Sequence, residues 1–167
     1  MSENQRRGVV TRLDDGRQRL EFRREWPDPI DDVWAALTEP DRMARWIGTY
    51  EGERGTGGTG TFTMTHEEGE QEGSPTTILE CDPPRRLAVE WEQEGSENWR
   101  IDLDLATEGD RTVLRFVQVF GADVDVVDFA LGWHWYLEKF GAEVTGTPAP
   151  EVWDDFLAEV GPAYGRS

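Results

Sequence analysis

Apolar residues near the N-terminus first alternate with charged residues and then recur at helical spacing. Leu20, Phe22 and Trp26 lie on one alternating face, which is typical of a half-buried strand. A helix follows, because apolar residues then occur at spacings of three and four: Ile30, Val33, Trp34 and Leu37. Proline is common at the first position of a helix, so Pro40 predicts a second short helix. This region is therefore expected to form one strand and two short helices.

The middle of the chain alternates apolar and polar residues in five stretches. These stretches cover residues 61–66, 76–81, 87–91, 99–105 and 113–120. Turn-forming sequences such as Asp82-Pro83-Pro84 and Glu108-Gly109-Asp110 separate them. Strands at this hairpin spacing pair antiparallel, so the sequence predicts an antiparallel sheet of about six to seven strands.

The last third of the chain returns to helical spacing. One apolar stripe predicts a long helix: Val126, Phe129, Trp133, Leu137 and Phe140. Prolines at positions 148 and 150 end this helix, and apolar residues between 152 and 157 predict a short final helix. The order of elements indicates an α+β fold with helices grouped against one sheet.

These patterns divide the chain into three segments. Residues 1–17 are polar and form an N-terminal arm, either frayed or folded as a weak first strand. Residues 18–145 carry the α+β domain, and residues 146–167 form a C-terminal extension with the short helix. A length of 167 residues fits a single domain with a core of its own.

Charge narrows the range of partners. The chain has 17 Lys and Arg residues and 35 Asp and Glu residues, a net charge of -18 at pH 7. Such a surface repels phosphate groups, so nucleic acid and membrane surfaces are poor partners. Residues 1–24 are basic, with seven Arg and four acidic residues. A basic arm on one copy could bind the acidic body of another, so a homodimer is a possible assembly.

Composition also bears on the compartment. One cysteine, Cys81, excludes an internal disulfide framework and fits a reducing environment. The chain has no apolar run of about 18 residues and its first residues lack a signal sequence. We therefore expect a cytoplasmic protein.

Several motifs, taken in order, resemble a known superfamily. They are the proline turn and helix of residues 26–38, the turn Asp82-Pro83-Pro84 before a strand that ends in Trp91, and Gly132-Trp133 in the long helix. Over residues 18–145 the chain resembles the START/Bet v 1-like superfamily (SRPBCC) and, within it, the branch related to the activator of the Hsp90 ATPase. The resemblance implies a helix-grip fold, in which a curved antiparallel sheet wraps around the long C-terminal helix and encloses an apolar cavity.

The resemblance implies three kinds of function. Members of the superfamily include binders of lipids and hormones, polyketide cyclases and aromatases, and co-chaperone domains. We expect a module that binds a hydrophobic or aromatic small molecule between the long helix and the sheet. A cyclase-like enzyme and a co-chaperone-like interaction domain remain the alternatives, and no diagnostic catalytic constellation is present.

The tryptophans are the sharpest sign of a site, because Trp46, Trp91, Trp99 and Trp133 lie on four different elements. Rings of this size either fill the core or line a ligand cavity, and the sequence leaves both open. Polar candidates come from alternate strand positions and from the helix stripe. The full set of candidate ligand-binding residues is Trp46, Phe62, Met64, His66, Glu80, Trp91, Trp99, Phe116, Gln118, Phe129, Trp133 and Tyr136. Glu80, if buried, would have a raised pKa and is the one weak catalytic candidate.

Other chemistry is disfavoured. The string Gly55-Thr56-Gly57-Gly58-Thr59-Gly60 fits the G-x-G-x-x-G pattern, but a strand follows it where nucleotide binding needs a helix. Acidic neighbours disfavour the thiolate of Cys81. His134 and Glu138 at helical spacing supply only two metal ligands, so we expect no metal and no cofactor.

Overall fold

The computed structural model describes residues 7–67, 72–93, 95 and 97–165. Its strands are β1 (Val9–Arg12), β2 (Gln18–Trp26), β3 (Gly48–Gly52), β4 (Thr59–Met64), β5 (Ser74–Asp82), β6 (Arg86–Trp91), β7 (Trp99–Glu108) and β8 (Arg111–Phe120). Its helices are α1 (Ile30–Thr38), α2 (Pro40–Met43), α3 (Val126–Thr145) and α4 (Trp153–Val160), followed by a 3-10 turn (Gly161–Tyr164). Residues 1–6 of the expected arm and 166–167 of the expected extension lie outside the described residues.

All the strands form one antiparallel sheet in the order β1-β2-β8-β7-β6-β5-β4-β3. The strands from β3 to β8 are consecutive neighbours, as hairpin spacing predicts. The α+β helix-grip architecture is thereby confirmed, although the sheet has eight strands where the sequence predicts six to seven. The edge strands account for the difference, because β1 is exposed throughout and β3 reads Gly-Thr-Tyr-Glu-Gly, without alternation.

The long helix α3 lies across the concave face of the sheet. Asp125 caps its N-terminus by accepting a hydrogen bond from the Val127 N–H at 3.2 Å, and Gly146 ends it with a φ of 73°. The ring centroid of Trp133 lies 4.7 Å from that of Phe116 on β8. The apolar stripe predicted from the sequence therefore faces the sheet. Separately, no helix of the described chain is both long and apolar enough to span a bilayer.

Helices α1 and α2 form a corner that bridges one end of the sheet to α3. The indole N–H of Trp46, just after α2, donates to the carbonyl of Ala36 at 2.8 Å. Arg42 on α2 pairs with Glu143 on α3, and its Nη1 lies 3.0 Å from Asp32 Oδ1. These contacts hold the corner against the long helix.

The C-terminal helix α4 packs on the outer side of α3. The ring of Phe156 lies 5.6 Å from His134 and 5.1 Å from Trp135. His134 is fully buried, with Nδ1 at 2.9 Å from the Tyr164 hydroxyl and Nε2 at 3.4 Å from Glu138 Oε1. The His134 ring also lies 5.9 Å from that of Phe22 on β2, so this histidine is buried between the sheet and the C-terminal segment, outside the lining of any large cavity under Trp133.

Candidate functional site

A cavity of about 410 Å³ lies between α3, the α1–α2 corner and the concave face of the sheet. Strands β3 to β8 supply most of its floor, and α3 supplies its roof through Trp133 and Leu137. The aliphatic part of the lining is Leu37, Ile47, Ile78, Leu87, Val89, Ile101, Leu103, Leu114 and Leu137. The sheet curves around this space, so side chains of non-neighbouring strands meet in it.

Aromatic rings form one continuous wall of the cavity. Phe62 stacks on Trp91 with ring centroids 4.8 Å apart and planes 18° apart. Trp91 in turn lies 6.0 Å from Trp133, at an interplanar angle of 28°. Trp133 completes the wall against Phe116, and its indole N–H donates to Gln118 Oε1 at 2.8 Å. This hydrogen bond fixes the orientation of the largest ring in the roof.

A β-bulge decides which residues of β5 face the cavity. The pairing with β6 shifts register between Ile78 and Glu80, so Ile78 pairs with Val89 but Glu80 pairs with Ala88. A one-residue shift moves every later side chain to the opposite face. Cys81 consequently lines the cavity, whereas Glu80 lies exposed on the convex face, with Arg86 Nε at 2.9 Å from its Oε1. Glu80 is therefore not the buried acid considered from the sequence.

The mouth of the cavity lies between α1 and the loop that joins β3 to β4. Arg54 in this loop donates from Nη1 to the carbonyl of Thr38, the last residue of α1, at 2.9 Å. The guanidinium carbon of Arg54 lies 5.7 Å from the centroid of the Tyr50 ring, a cation–π contact. Glu39 lines the α1 side of the mouth and Gly55, with a φ of 96°, lines the loop side. Most of the polar groups of the lining are thus gathered at the mouth.

The thiol of Cys81 is poorly suited to nucleophilic chemistry. Burial and the neighbouring carboxylate of Asp82 raise its pKa. Its backbone N–H donates to the Thr56 hydroxyl at 2.9 Å, which ties β5 to the glycine-rich loop. That loop passes into strand β4, and it does not open a helix.

The structure brings only some of the candidate residues to the cavity. Five of them line it: Trp46, Phe62, Trp91, Phe116 and Trp133. The other seven lie outside its lining: Met64, His66, Glu80, Trp99, Gln118, Phe129 and Tyr136.

The candidates outside the lining have structural partners. Trp99 and Phe129, with ring centroids 5.3 Å apart, pack behind the aromatic wall near the start of α3, and the Trp99 ring also lies 6.3 Å from that of Trp91. The hydroxyl of Tyr136 donates to Glu67 Oε2 at 2.6 Å, and burial together with this carboxylate raises the pKa of Tyr136. His66 Nε2 lies 2.9 Å from the carbonyl of Ala44. Both contacts tie the end of β4 to the helices.

Gln118 and Met64 occupy the core beside the cavity. The side chain of Gln118 is 1% exposed, and its Nε2 has no hydrogen-bond partner among the described residues. The Oε1 atom of the same amide accepts the hydrogen bond from the Trp133 indole N–H. Met64 is partly buried and packs against the apolar core.

Sequence reasoning missed the mouth. Tyr50 lies on β3, which has no alternating pattern, and Arg54 lies in a loop, where periodicity carries no information. Leu103 and Leu114 were detectable, because each falls on the apolar face of an alternating strand. Among the described residues no group of three or more His, Cys, Asp or Glu side chains lies close enough to hold a metal ion.

Comparison with known proteins identifies relatives of this architecture. The crystal structure of CalU16 from Micromonospora echinospora is 29% identical in sequence, with a TM-score of 0.72 over 95% of this chain and 93% of that chain. The solution NMR structure of the protein encoded by BPP1335 of Bordetella parapertussis is 27% identical, with a TM-score of 0.73 over 96% and 91% of the two chains. The crystal structure of DynU16, a protein in the dynemicin biosynthetic locus, shares the fold at 21% identity and a TM-score of 0.66, over 80% of this chain and 50% of that chain.

No curated protein sequence matches this chain. The family model described as "Activator of Hsp90 ATPase homolog 1-like protein" matches residues 28–145, which is more than half of the chain. The match confirms the resemblance drawn from the sequence motifs. The chain belongs to the Activator of Hsp90 ATPase homolog 1-like family.

Proposed function

We propose that this protein binds a hydrophobic or aromatic small molecule in the cavity beneath α3. The observation that carries the proposal is a space of about 410 Å³ whose lining is almost wholly apolar. Small-molecule sites are typically concave, apolar and about 300–1,000 Å³ in volume, with a few polar groups at defined places. The cavity has this composition, with its polar groups at the mouth.

The size of the space favours a built site over a packing defect. Protein interiors rarely contain voids much larger than one water molecule. A dry apolar cavity of about 150 Å³ accommodates benzene. The cavity is therefore large enough for a molecule of two or three fused rings.

The walls are also held in place against collapse. Trp46 is anchored by its hydrogen bond to Ala36, and Trp133 by its hydrogen bond to Gln118. Turning either indole into the cavity would leave a buried N–H unpaired, which costs about 1–3 kcal/mol. These bonds support a preformed site, which lowers the ordering cost of binding.

Apolar burial supplies the driving force. A ligand that loses about 250 Å² of apolar surface to the cavity gains about 6 kcal/mol. The ionisable side chains of the lining are Glu39, Tyr50, Arg54 and Cys81, and burial raises the pKa of both Tyr50 and Cys81. Neither of these two groups is a ready proton acceptor at neutral pH.

The experiment is to fill the cavity and measure the loss of binding. Leu103, on β7, is half-buried and lines the cavity, so Leu103→Trp places an indole inside the space. The probe is N-phenyl-1-naphthylamine, an uncharged aromatic dye whose emission rises in apolar surroundings. We expect the affinity for the dye to fall at least about tenfold, because a clash that lowers the binding free energy by about 1.4 kcal/mol already has this effect.

The control is Leu157→Trp on α4. Leu157 is also half-buried and packs against the core, but it does not line the cavity. Thermal unfolding of both variants shows whether each is folded. Equal dye affinity in the wild type and in a folded Leu103→Trp variant would refute the proposal.

A further inference from the structure

We propose that the ligand is an amphiphilic monoanion, whose apolar body fills the cavity and whose carboxylate or similar acidic group binds Arg54 at the mouth. This inference rests on the proposed function, because it names the chemical class of the molecule bound in the same cavity. Its basis is the chemistry and placement of Arg54.

Arg54 is the one cationic side chain among the residues that line the cavity in the described chain. It lies on the loop side of the mouth and reaches across to the carbonyl of Thr38 on α1. Its guanidinium is exposed on one side and lies over the Tyr50 ring on the other. A ligand held in the apolar interior would therefore present its solvent-facing end to this group.

Arg54 differs from most arginines of the protein in having no carboxylate partner. Arg42 and Arg86 each pair with two or more acidic side chains. Within the described ranges no Asp or Glu oxygen lies within 4.0 Å of the Arg54 guanidinium, although the chain has 35 acidic residues against 17 basic ones. The cation at the mouth is thus available to an anion from outside.

The present partner of Arg54 is one that an anion can replace. The Thr38 carbonyl is neutral and accepts one hydrogen bond from Nη1. A guanidinium has five N–H donors in a planar fork and binds a carboxylate through two of them. Hydrogen bonds between charged groups are about twice as strong as those between neutral groups. An acidic group at the mouth therefore displaces the Thr38 carbonyl.

Glu39 limits the charge that the mouth accepts. It lines the opposite side of the mouth from Arg54, and its carboxylate repels a second negative charge. The net charge of the whole chain, -18, acts in the same direction. One acidic group close to Arg54 satisfies these constraints, whereas a dianion does not.

The experiment compares two aromatic probes of nearly equal shape. Naphthalene-2-carboxylate carries an acidic group, and 2-acetylnaphthalene carries an uncharged ketone in its place. Isothermal titration calorimetry at neutral pH gives the affinity of each for the wild type and for four variants: Arg54→Gln, Arg54→Lys, Glu39→Gln and Arg85→Gln. Arg85 is exposed and does not line the cavity, so Arg85→Gln controls for the change in net charge.

We expect the wild type to bind the carboxylate more tightly than the ketone. Arg54→Gln should weaken carboxylate binding about tenfold or more, as loss of a hydrogen bond between charged groups implies, and should leave ketone binding within a factor of two. Arg54→Lys should restore part of the affinity, because lysine keeps the charge but lacks the fork. Glu39→Gln should strengthen carboxylate binding, and Arg85→Gln should change neither probe.

The outcomes separate this inference from the proposed function. If both probes bind the wild type and Arg54→Gln weakens both equally or neither, the inference is wrong and cavity binding stands. If the ketone binds more tightly than the carboxylate, the inference is also wrong. If neither probe binds and N-phenyl-1-naphthylamine fails as well, both proposals are wrong.

Discussion

Replacing Arg42 by methionine tests how firmly the α1–α2 corner is held over the cavity. The Arg42 side chain is 19% exposed and that of Glu143, its partner on α3, is 11% exposed. Burial disfavours the charge of Arg42, but hydrogen bonds to Asp32 and Glu143 outweigh it and raise the pKa of the guanidinium. Breaking a fully buried ion pair lowers the free energy of unfolding by about 3–5 kcal/mol, and breaking an exposed pair by less than about 1 kcal/mol. For the half-buried pair of Arg42 we expect a loss of about 2 kcal/mol.

The assay is urea denaturation followed by tryptophan fluorescence, with thermal unfolding as a second measurement. For a chain of this size each kcal/mol lowers Tm by about 2–4 °C, so Arg42→Met should lower it by about 4–8 °C. Pro40 and Met43 of α2 line the cavity, so the variant should also release N-phenyl-1-naphthylamine faster than the wild type does.

Arg45→Met is the matched control. Arg45 Nη1 lies 3.3 Å from the same Glu143 carboxylate, but its side chain is 61% exposed. We expect Arg45→Met to lower the free energy of unfolding by less than about 0.5 kcal/mol, as loss of an isolated surface ion pair does. The reasoning fails if Arg45→Met costs as much as Arg42→Met, or if Arg42→Met leaves the urea midpoint unchanged.

Three further predictions concern the core, the convex face and the thiol. Phe140→Ala should cost about 3–5 kcal/mol in urea denaturation, because Phe140 is 0% exposed and packs against Trp46. Burial opposes ionisation of Asp102, but hydrogen bonds from Arg100 and Arg86 outweigh it and lower its pKa. The stability that this adds is present above the unfolded pKa of about 3.9 and is lost as the pH falls through the lower folded pKa, so Asp102→Asn should destabilise at pH 7 and progressively less in acid. Cys81, with its raised pKa, should react with iodoacetamide more slowly than free cysteine, and more slowly still with N-phenyl-1-naphthylamine in the cavity.

The strands and the longer helices that the sequence predicted each have one buried face, and the short helices α2 and α4 were predicted from a proline and a short apolar run. Strands β2 and β4 to β8, and the helices α1 and α3, all show a clear contrast between apolar and polar positions. β3 escaped prediction because glycines occupy both of its ends and only Tyr50 among its residues has a large apolar side chain. The pairing of β2 with β8 joins segments far apart in the chain, and no local pattern encodes it.

The site was predictable where it depends on regular spacing, which is alternation in the strands and helical spacing at Trp133 on α3. Phe62, Trp91 and Phe116 lie on the inward face of regular strands, and each lines the cavity. Simple alternation would place Thr76, Ile78 and Glu80 on the same face of β5. The bulge between Ile78 and Glu80 instead turns Glu80 outward. A bulge leaves no signature in residue spacing, so the facing of the second half of β5 was beyond sequence reasoning.

The spacing of aromatic residues along α3 explains why a space remains beneath the helix. Trp133 and Phe140 are seven residues apart, about 10.5 Å along the axis, and both face the sheet. Each is braced by other rings, Trp133 by Phe116 and Phe140 by Trp46. Leu137 lies between them on the same face, and it is too short to fill the gap that the larger rings set between helix and sheet. Leu137 lines the cavity together with Trp133, whereas Phe140 does not, so the depth of the cavity below α3 depends on the size of the side chain at position 137.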